Sequence, residues 1–127
     1  MANVGLYLLK LSFDPIEVGA GSMTLAMAVN AVNGKVQGIA TGTLLEGTEH
    51  PQTFEVSVTG AIHATGLGTV VKVGAVEGEA RVTVATPAIG TYLAPFTASF
   101  ALDSSFKGKG TFTVGSYTYE SDVSKAA

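Results

Sequence analysis

Two histidines, four tyrosines and ten carboxylates are the groups in this chain that could do chemistry, and cysteine is absent. His63 stands out because it ends an alternating run. Phe54, Val56, Val58, Gly60 and Ile62 share one face of that run, and Glu55, Ser57, Thr59, Ala61 and His63 share the other. On the strand register derived below, His63 lies on the outer face opposite Lys72. A neighbouring cation disfavours imidazolium and leaves a neutral imidazole able to act as base or ligand. The simpler reading is a solvated histidine on a polar strand face. Tyr7, Tyr92, Tyr117 and Tyr119 supply amphipathic rings suited to a ligand mouth or a subunit contact, and equally to the edge of a core. These five residues are the candidate ligand-binding set, and none is assigned a catalytic role.

Glu46, Glu49 and His50 fall on one polar stretch whose oxygen and imidazole groups suit a divalent cation. Metal sites usually converge from several elements with an ordered outer shell, which this stretch does not supply, so no metal or other cofactor is expected. Glu77 and Glu79 share a face with Arg81, but a glycosidase-type pair must converge across a cleft. Gly19-Ala20-Gly21-Ser22 and Gly66-Leu67-Gly68-Thr69 resemble phosphate loops. Each leads into a strand, so the helix N-terminus that binds phosphate is missing and the glycines read as turn formers. Without cysteine, and without a Gly-x-Ser-x-Gly elbow, a nucleophilic triad has little support.

The elements that would position these groups are all strands. The clearest stretch is Ser22 to Leu45, where two alternating segments flank Asn33-Gly34. That dipeptide suits a two-residue type I′ turn, which needs φ > 0 at both positions. Counting outward, Val29 faces Gly38, Met27 faces Ala40, Leu25 faces Gly42 and Met23 faces Leu44, so one face sets large against small. Gly38 and Gly42 on that face predict a bend or a close approach, as a curved sheet requires.

A first strand over Val4 to Phe13 carries Leu6 and Leu8 on one face and Tyr7, Leu9, Leu11 and Phe13 on the other. This pattern fits a strand covered on both sides, inside a sandwich or under a second subunit. Asp14-Pro15 is expected to break its ladder. The segment from Phe54 to Ile62 pairs with the one ending near Val82 after a turn at Leu67-Gly68. Matching their apolar faces requires an extra residue, placed as a β-bulge at Ala75-Val76, which aligns Val58 with Gly78 and Glu55 with Arg81. Pro95 marks an edge, a bulge or an entry kink in the strand that carries Phe96 and Phe100. The chain from Glu120 to Ala127 is polar and reads as a flexible tail.

The expected fold is therefore all-β, an antiparallel β-barrel or β-sandwich of seven or eight hairpin-connected strands in a single domain over residues 1–127. Of the 127 residues, 46% are hydrophobic and only 13% charged, about half the usual charged share. A surface so sparsely charged favours self-association. The net charge of −3 and seven scattered basic residues give no footprint for nucleic acid. No apolar run reaches the ~20 residues of a membrane-spanning helix. The start lacks a basic region before an apolar core, which makes the cytoplasm the default compartment.

Val4-Gly5-Leu6-Tyr7, the segment Leu25 to Asn30 with Gly34-Lys35-Val36-Gln37-Gly38, and Leu93-Ala94-Pro95-Phe96 together resemble a small bacterial all-β domain family of unknown function. The resemblance spans most of the chain. It implies a stand-alone bacterial β domain and carries over no catalytic residue. The leading functional expectation is a non-enzymatic binding or assembly module that forms a homo-oligomer. The alternatives are a small barrel holding one apolar small molecule and, third, an enzyme whose site the sequence does not reveal.

Overall fold

The computed structural model describes residues 6–16, 21–30, 32–44, 52–67, 70–84 and 90–126, of which the side chains at 65–67, 70, 71, 84 and 90 are left aside. Eight antiparallel strands run in chain order: β1 (Leu6–Pro15), β2 (Gly21–Asn30), β3 (Lys35–Leu44), β4 (Gln52–Leu67), β5 (Val70–Val84), β6 (Gly90–Leu102), β7 (Gly108–Val114) and β8 (Tyr117–Lys125). Each pairs with its sequence neighbour, and β8 returns to β1 through pairs such as Phe13↔Val123, so the sheet is a closed barrel rather than a sandwich. Closure removes the unpaired edges that a sandwich of the same strands would expose. Among the described residues no helix is long and apolar enough to cross a membrane.

Alternation decides which side chains enter the barrel. Leu9, Leu11 and Phe13 on β1, Met23, Leu25, Met27 and Val29 on β2, and Phe54, Val56 and Val58 on β4 are buried, as are Phe96, Phe100 and Phe112. The aromatic rings form one connected stack. Phe112 lies 6.1 Å from Phe13, 6.1 Å from Phe54 and 5.3 Å from Tyr119, while Phe13 meets Phe100 edge-on at 6.2 Å and Phe54 lies 5.8 Å from Phe96. An eight-stranded barrel has an interior about wide enough for its own side chains, and here they fill it. The outward rows of β4–β6 carry Glu55, Ser57, Thr59, Glu77, Glu79, Arg81, Thr97 and Ser99, all exposed.

The hairpin of β2 and β3 keeps the expected faces in a different register. Pairing ends at Val29↔Val36, and Met27 faces Gly38, Leu25 faces Ala40 and Met23 faces Gly42. Each partner is displaced by two residues from the count that takes Asn33-Gly34 as a two-residue loop. The cause is side-chain capping. Asn30 accepts the Val32 N–H on Oδ1 at 2.9 Å and the Gly34 N–H on its carbonyl at 2.7 Å, and Asn33 Oδ1 accepts the Lys35 N–H at 2.9 Å. Gly34 has φ of +74°, but Asn33 is not among the residues with positive φ, so the type I′ turn does not form. Because strand side chains alternate with period two, a shift of two leaves every face unchanged.

The β4–β5 pairing likewise reaches the expected core register by another route. Val58↔Gly78, Val56↔Ala80 and Glu55↔Arg81 are all present, yet the irregularity lies between Ala64 and Leu67, beside the turn, and Ala75-Val76 is unbulged. A shift at the barrel's end spares the interior, whereas one at Ala75-Val76 would have broken the inward row. Ile62 therefore faces Gly74, and His63 faces Val73 rather than Lys72.

Two further expectations are corrected. Asp14 and Pro15 remain in β1, paired with Asp122 and Ser121. The chain from Glu120 is not a flexible tail as far as Lys125: it forms β8, with Val123 buried between β7 and β1. Pro95 is explained by the end of β7. Its carbonyl accepts the Gly115 N–H at 2.9 Å, and the N and O of one strand residue point to the same neighbour. The missing N–H thus faces the side on which β7 has already ended at Val114, and the β5–β6 ladder loses nothing.

Gly38 and Gly42 are the bend points. A Cβ on Gly38 would overlap the Ala26 carbonyl oxygen, and one on Gly42 would overlap the Ser22 carbonyl oxygen and sit 3.0 Å from the Phe54 ring. Gly42→Val should lower stability by on the order of 3 kcal/mol in urea unfolding, whereas Thr41→Val on the exposed face should change it by about 0.5 kcal/mol or less. Equal effects of the two substitutions would contradict tight curvature at Gly42.

Candidate functional site

The barrel has two rims. The ends of β1, β3, β5 and β7 and the starts of β2, β4, β6 and β8 lie at one, and the ends of β2, β4, β6 and β8 and the starts of β1, β3, β5 and β7 lie at the other. Of the five candidate residues, Tyr92 and Tyr117 come together at the first rim. The Tyr92 hydroxyl donates to Gln52 Oε1 at 3.0 Å. Burial pushes the Tyr92 phenol above its ordinary value, and the nearby Tyr117 adds to the shift. Tyr7 packs against the core from β1, Tyr119 lies inside the barrel against Phe112, and His63 is exposed on the outer face with its ring beside Gly34. The five do not converge on one site. Glu46, Glu49 and His50 lie outside the described residues, and no three metal-ligating side chains cluster among the described ones.

A small constellation unseen in the sequence occupies the second rim. Phe106, with φ of +61°, is the one non-glycine residue in the left-handed region among those described. Asp103 holds it there. Its Oδ1 accepts the N–H groups of Ser105 at 2.7 Å and Lys107 at 3.1 Å, and its carbonyl accepts that of Phe106 at 3.0 Å. The ring packs on the core and carries the Lys72 and Lys125 ammonium groups at 5.0 and 5.7 Å from its centre. Cation–π attraction and ring burial offset the cost of the left-handed backbone. The arrangement closes the rim over the core.

The largest departure from an ordinary protein surface is on the outside of β1–β3. The outward row of β1 begins Leu6, Leu8, and these side chains are 66% and 83% exposed. Leu8 stands opposite Ala28, and Ala26 stands opposite Ile39, which is 50% exposed. Small alanines between larger residues leave a shallow trough of about 510 Å³, floored by Ala26, Ala28 and Gly38 and bordered by Leu8, Lys10, Ile39 and Lys125. The expectation that the first strand is covered on both faces is thus half met within one chain. Its inner face is core, and its outer face is open. This apolar area contrasts with the charged and hydroxylated rows of β4 and β5.

The Asp103 cap should be measurable alone. Asp103→Ala removes the acceptor of two backbone N–H groups and should lower stability by about 1–2 kcal/mol in thermal or urea unfolding. Asp103→Asn, which keeps an acceptor oxygen, should recover most of that loss.

No curated protein matches the sequence. Residues 4–124, nearly the whole barrel, match the profile of a domain of unknown function, and the chain belongs to that family, DUF1842.

Proposed function

We propose that the protein is a non-catalytic assembly module that self-associates through the outer face of β1–β3. The observation that carries this reading is the concentration of exposed Leu6, Leu8 and Ile39 around Ala26 and Ala28 on one side of the barrel. Elsewhere the outward rows of β4 and β5 carry charges and hydroxyls, and among the described residues Leu93 is the one large apolar side chain exposed on β6 away from the rim. Burying such side chains against a second apolar surface yields about 25 cal/mol per Å² removed from water, and the alanine floor lets a partner's side chains approach closely. The low charge density of the chain, 13%, puts little desolvation cost in the way. Holding an apolar molecule inside the barrel draws no support from the interior, because Met23, Leu25, Met27, Phe54 and Phe100 fill it.

Size-exclusion chromatography with light scattering, run from micromolar to millimolar protein, should show the mass rising from one chain towards a closed oligomer. Leu8→Asp should remain a single chain over the same range with an unchanged unfolding midpoint, because Leu8 contributes little to the core. A wild-type protein of one-chain mass throughout would refute the reading.

A further inference from the structure

We infer that the partner on this face is a second copy of the chain lying antiparallel along β1, with the two-fold axis passing at Ser12. This rests on the self-association proposed above and adds its register. The outward row of β1 reads Leu6, Leu8, Lys10, Ser12, Asp14, and the exposed Ile16 follows at the bend just past the strand. Ile16 donates its N–H to the Glu120 carbonyl at 3.0 Å and lies beside Glu120 and Thr111 on the same outer side. About Ser12 this row is chemically self-complementary. A two-fold axis there sets Leu8 against the partner's Ile16, Lys10 against the partner's Asp14, and Ser12 against its own copy. An isologous interface makes every such contact twice.

The two charges on this row, both exposed, have no ion-pair partner among the described residues of their own chain. Among the described residues the one ion pair is Lys109 with Asp122, and neither Lys10 nor Asp14 takes part in an ion pair. Asp14 stands directly opposite Asp122 across the β1–β8 pairing, so its near neighbour in the barrel is another carboxylate. Lys10 is flanked by Ala26 on β2 and, through its carbonyl, by the Ala126 N–H. A second copy in this register gives each charge its counterpart.

Other two-fold arrangements fail on charge. With the axis parallel to β1, Lys10 meets Lys10 and Asp14 meets Asp14, and like-charge contacts are among the strongest deterrents to association. With the axis through Leu8, the row Leu8, Ala28, Gln37 meets itself, and the rows on either side bring Lys10 and Lys35 of both copies into the contact with no acid between them. That arrangement would cover more of Leu6 and Ile39, but four ammonium groups would have to be desolvated unpaired. The axis at Ser12 is the one of the three that pairs every charge on the β1 row.

Charge reversal and cross-linking test the register. Lys10→Asp and Asp14→Lys should each weaken dimerisation by roughly tenfold. The double variant, which keeps net charge and restores an opposite pair at both contacts, should return to within about threefold of wild type. The chain has no cysteine of its own, so single cysteines report on the axis directly. Ser12→Cys should form a disulfide-linked dimer on mild oxidation, whereas Leu8→Cys should not. Cross-linking through Leu8→Cys, or a double charge variant weaker than both singles, would overturn the register while leaving self-association intact. A wild-type chain monomeric at millimolar concentration would remove the reading on which the register rests.

Discussion

The close approach of glycine backbone to large side chains inside the barrel is the constraint on which the rest of this structure depends. Gly38 lies between Met27 and Val58, Gly42 between Met23 and Phe54, and Gly78 between Val58 and Phe96. At each, a Cβ would run into a neighbouring strand's carbonyl oxygen. Where the chain has no side chain, the sheet can fold sharply inward, and the ring or thioether on the adjoining strand takes up the space. Closure and filling are thus one event: the glycines set the curvature, and the phenylalanine stack from Phe100 through Phe13, Phe112 and Phe54 to Phe96 fits the lumen that this curvature leaves. A barrel filled in this way has no interior room to spare for function, which moves attention to its outside.

That outside is uneven. Strands β4 and β5 present carboxylates and hydroxyls and β6 exposes Leu93 among threonines and serines, whereas β1–β3 gather Leu6, Leu8, Ile39 and two alanines around Lys10 and Gln37. The difference is not imposed by folding, because outward positions of a closed barrel make no core contacts and any polar residue would serve there. Exposed apolar side chains with no role in the chain's own core are informative in a way that the buried ones are not. Lys10 and Asp14, set two residues either side of Ser12 on the same row, add a charge pattern to the apolar one. Turned end for end about Ser12, the β1 row sets Lys10 against Asp14, and it is this row, rather than the whole apolar area, on which the proposed dimer register rests.

The architecture was legible in the sequence because alternation has a period of two and survives errors of two. Reading Asn33-Gly34 as a two-residue turn displaced the β2–β3 partners yet placed Met23, Leu25 and Met27 correctly inside, and the capping by Asn30 and Asn33 that lengthens the loop has no signature in periodicity. The β4–β5 register was recovered from the need to match apolar faces and keep Glu77 away from Val58, but that need does not fix where the irregularity lies, and the structure puts it beside the turn, between Ala64 and Leu67. The Glu120–Lys125 strand was missed because its outward residues are polar and its inward ones include Ser121, which weakens the alternation. The tyrosines could be named but not gathered, since only closure of the barrel decides that Tyr92 and Tyr117 share a rim while Tyr119 lies within. Phe106 carried no signal, because its position depends on the Asp103 caps and on two lysines distant in sequence. The apolar outer row of β1, by contrast, was visible from the start in Leu6 and Leu8.

The central claim, that β1–β3 form a self-recognising face, is tested most directly by following the backbone amide resonances of the protein through a dilution series. Residues 6–16, together with Ala26, Ala28 and Ile39, should shift with concentration along a common binding curve, while Glu55, Glu79 and Ser99 on the opposite side stay fixed. Shifts confined to β4–β6, or no concentration dependence at all, would contradict the account.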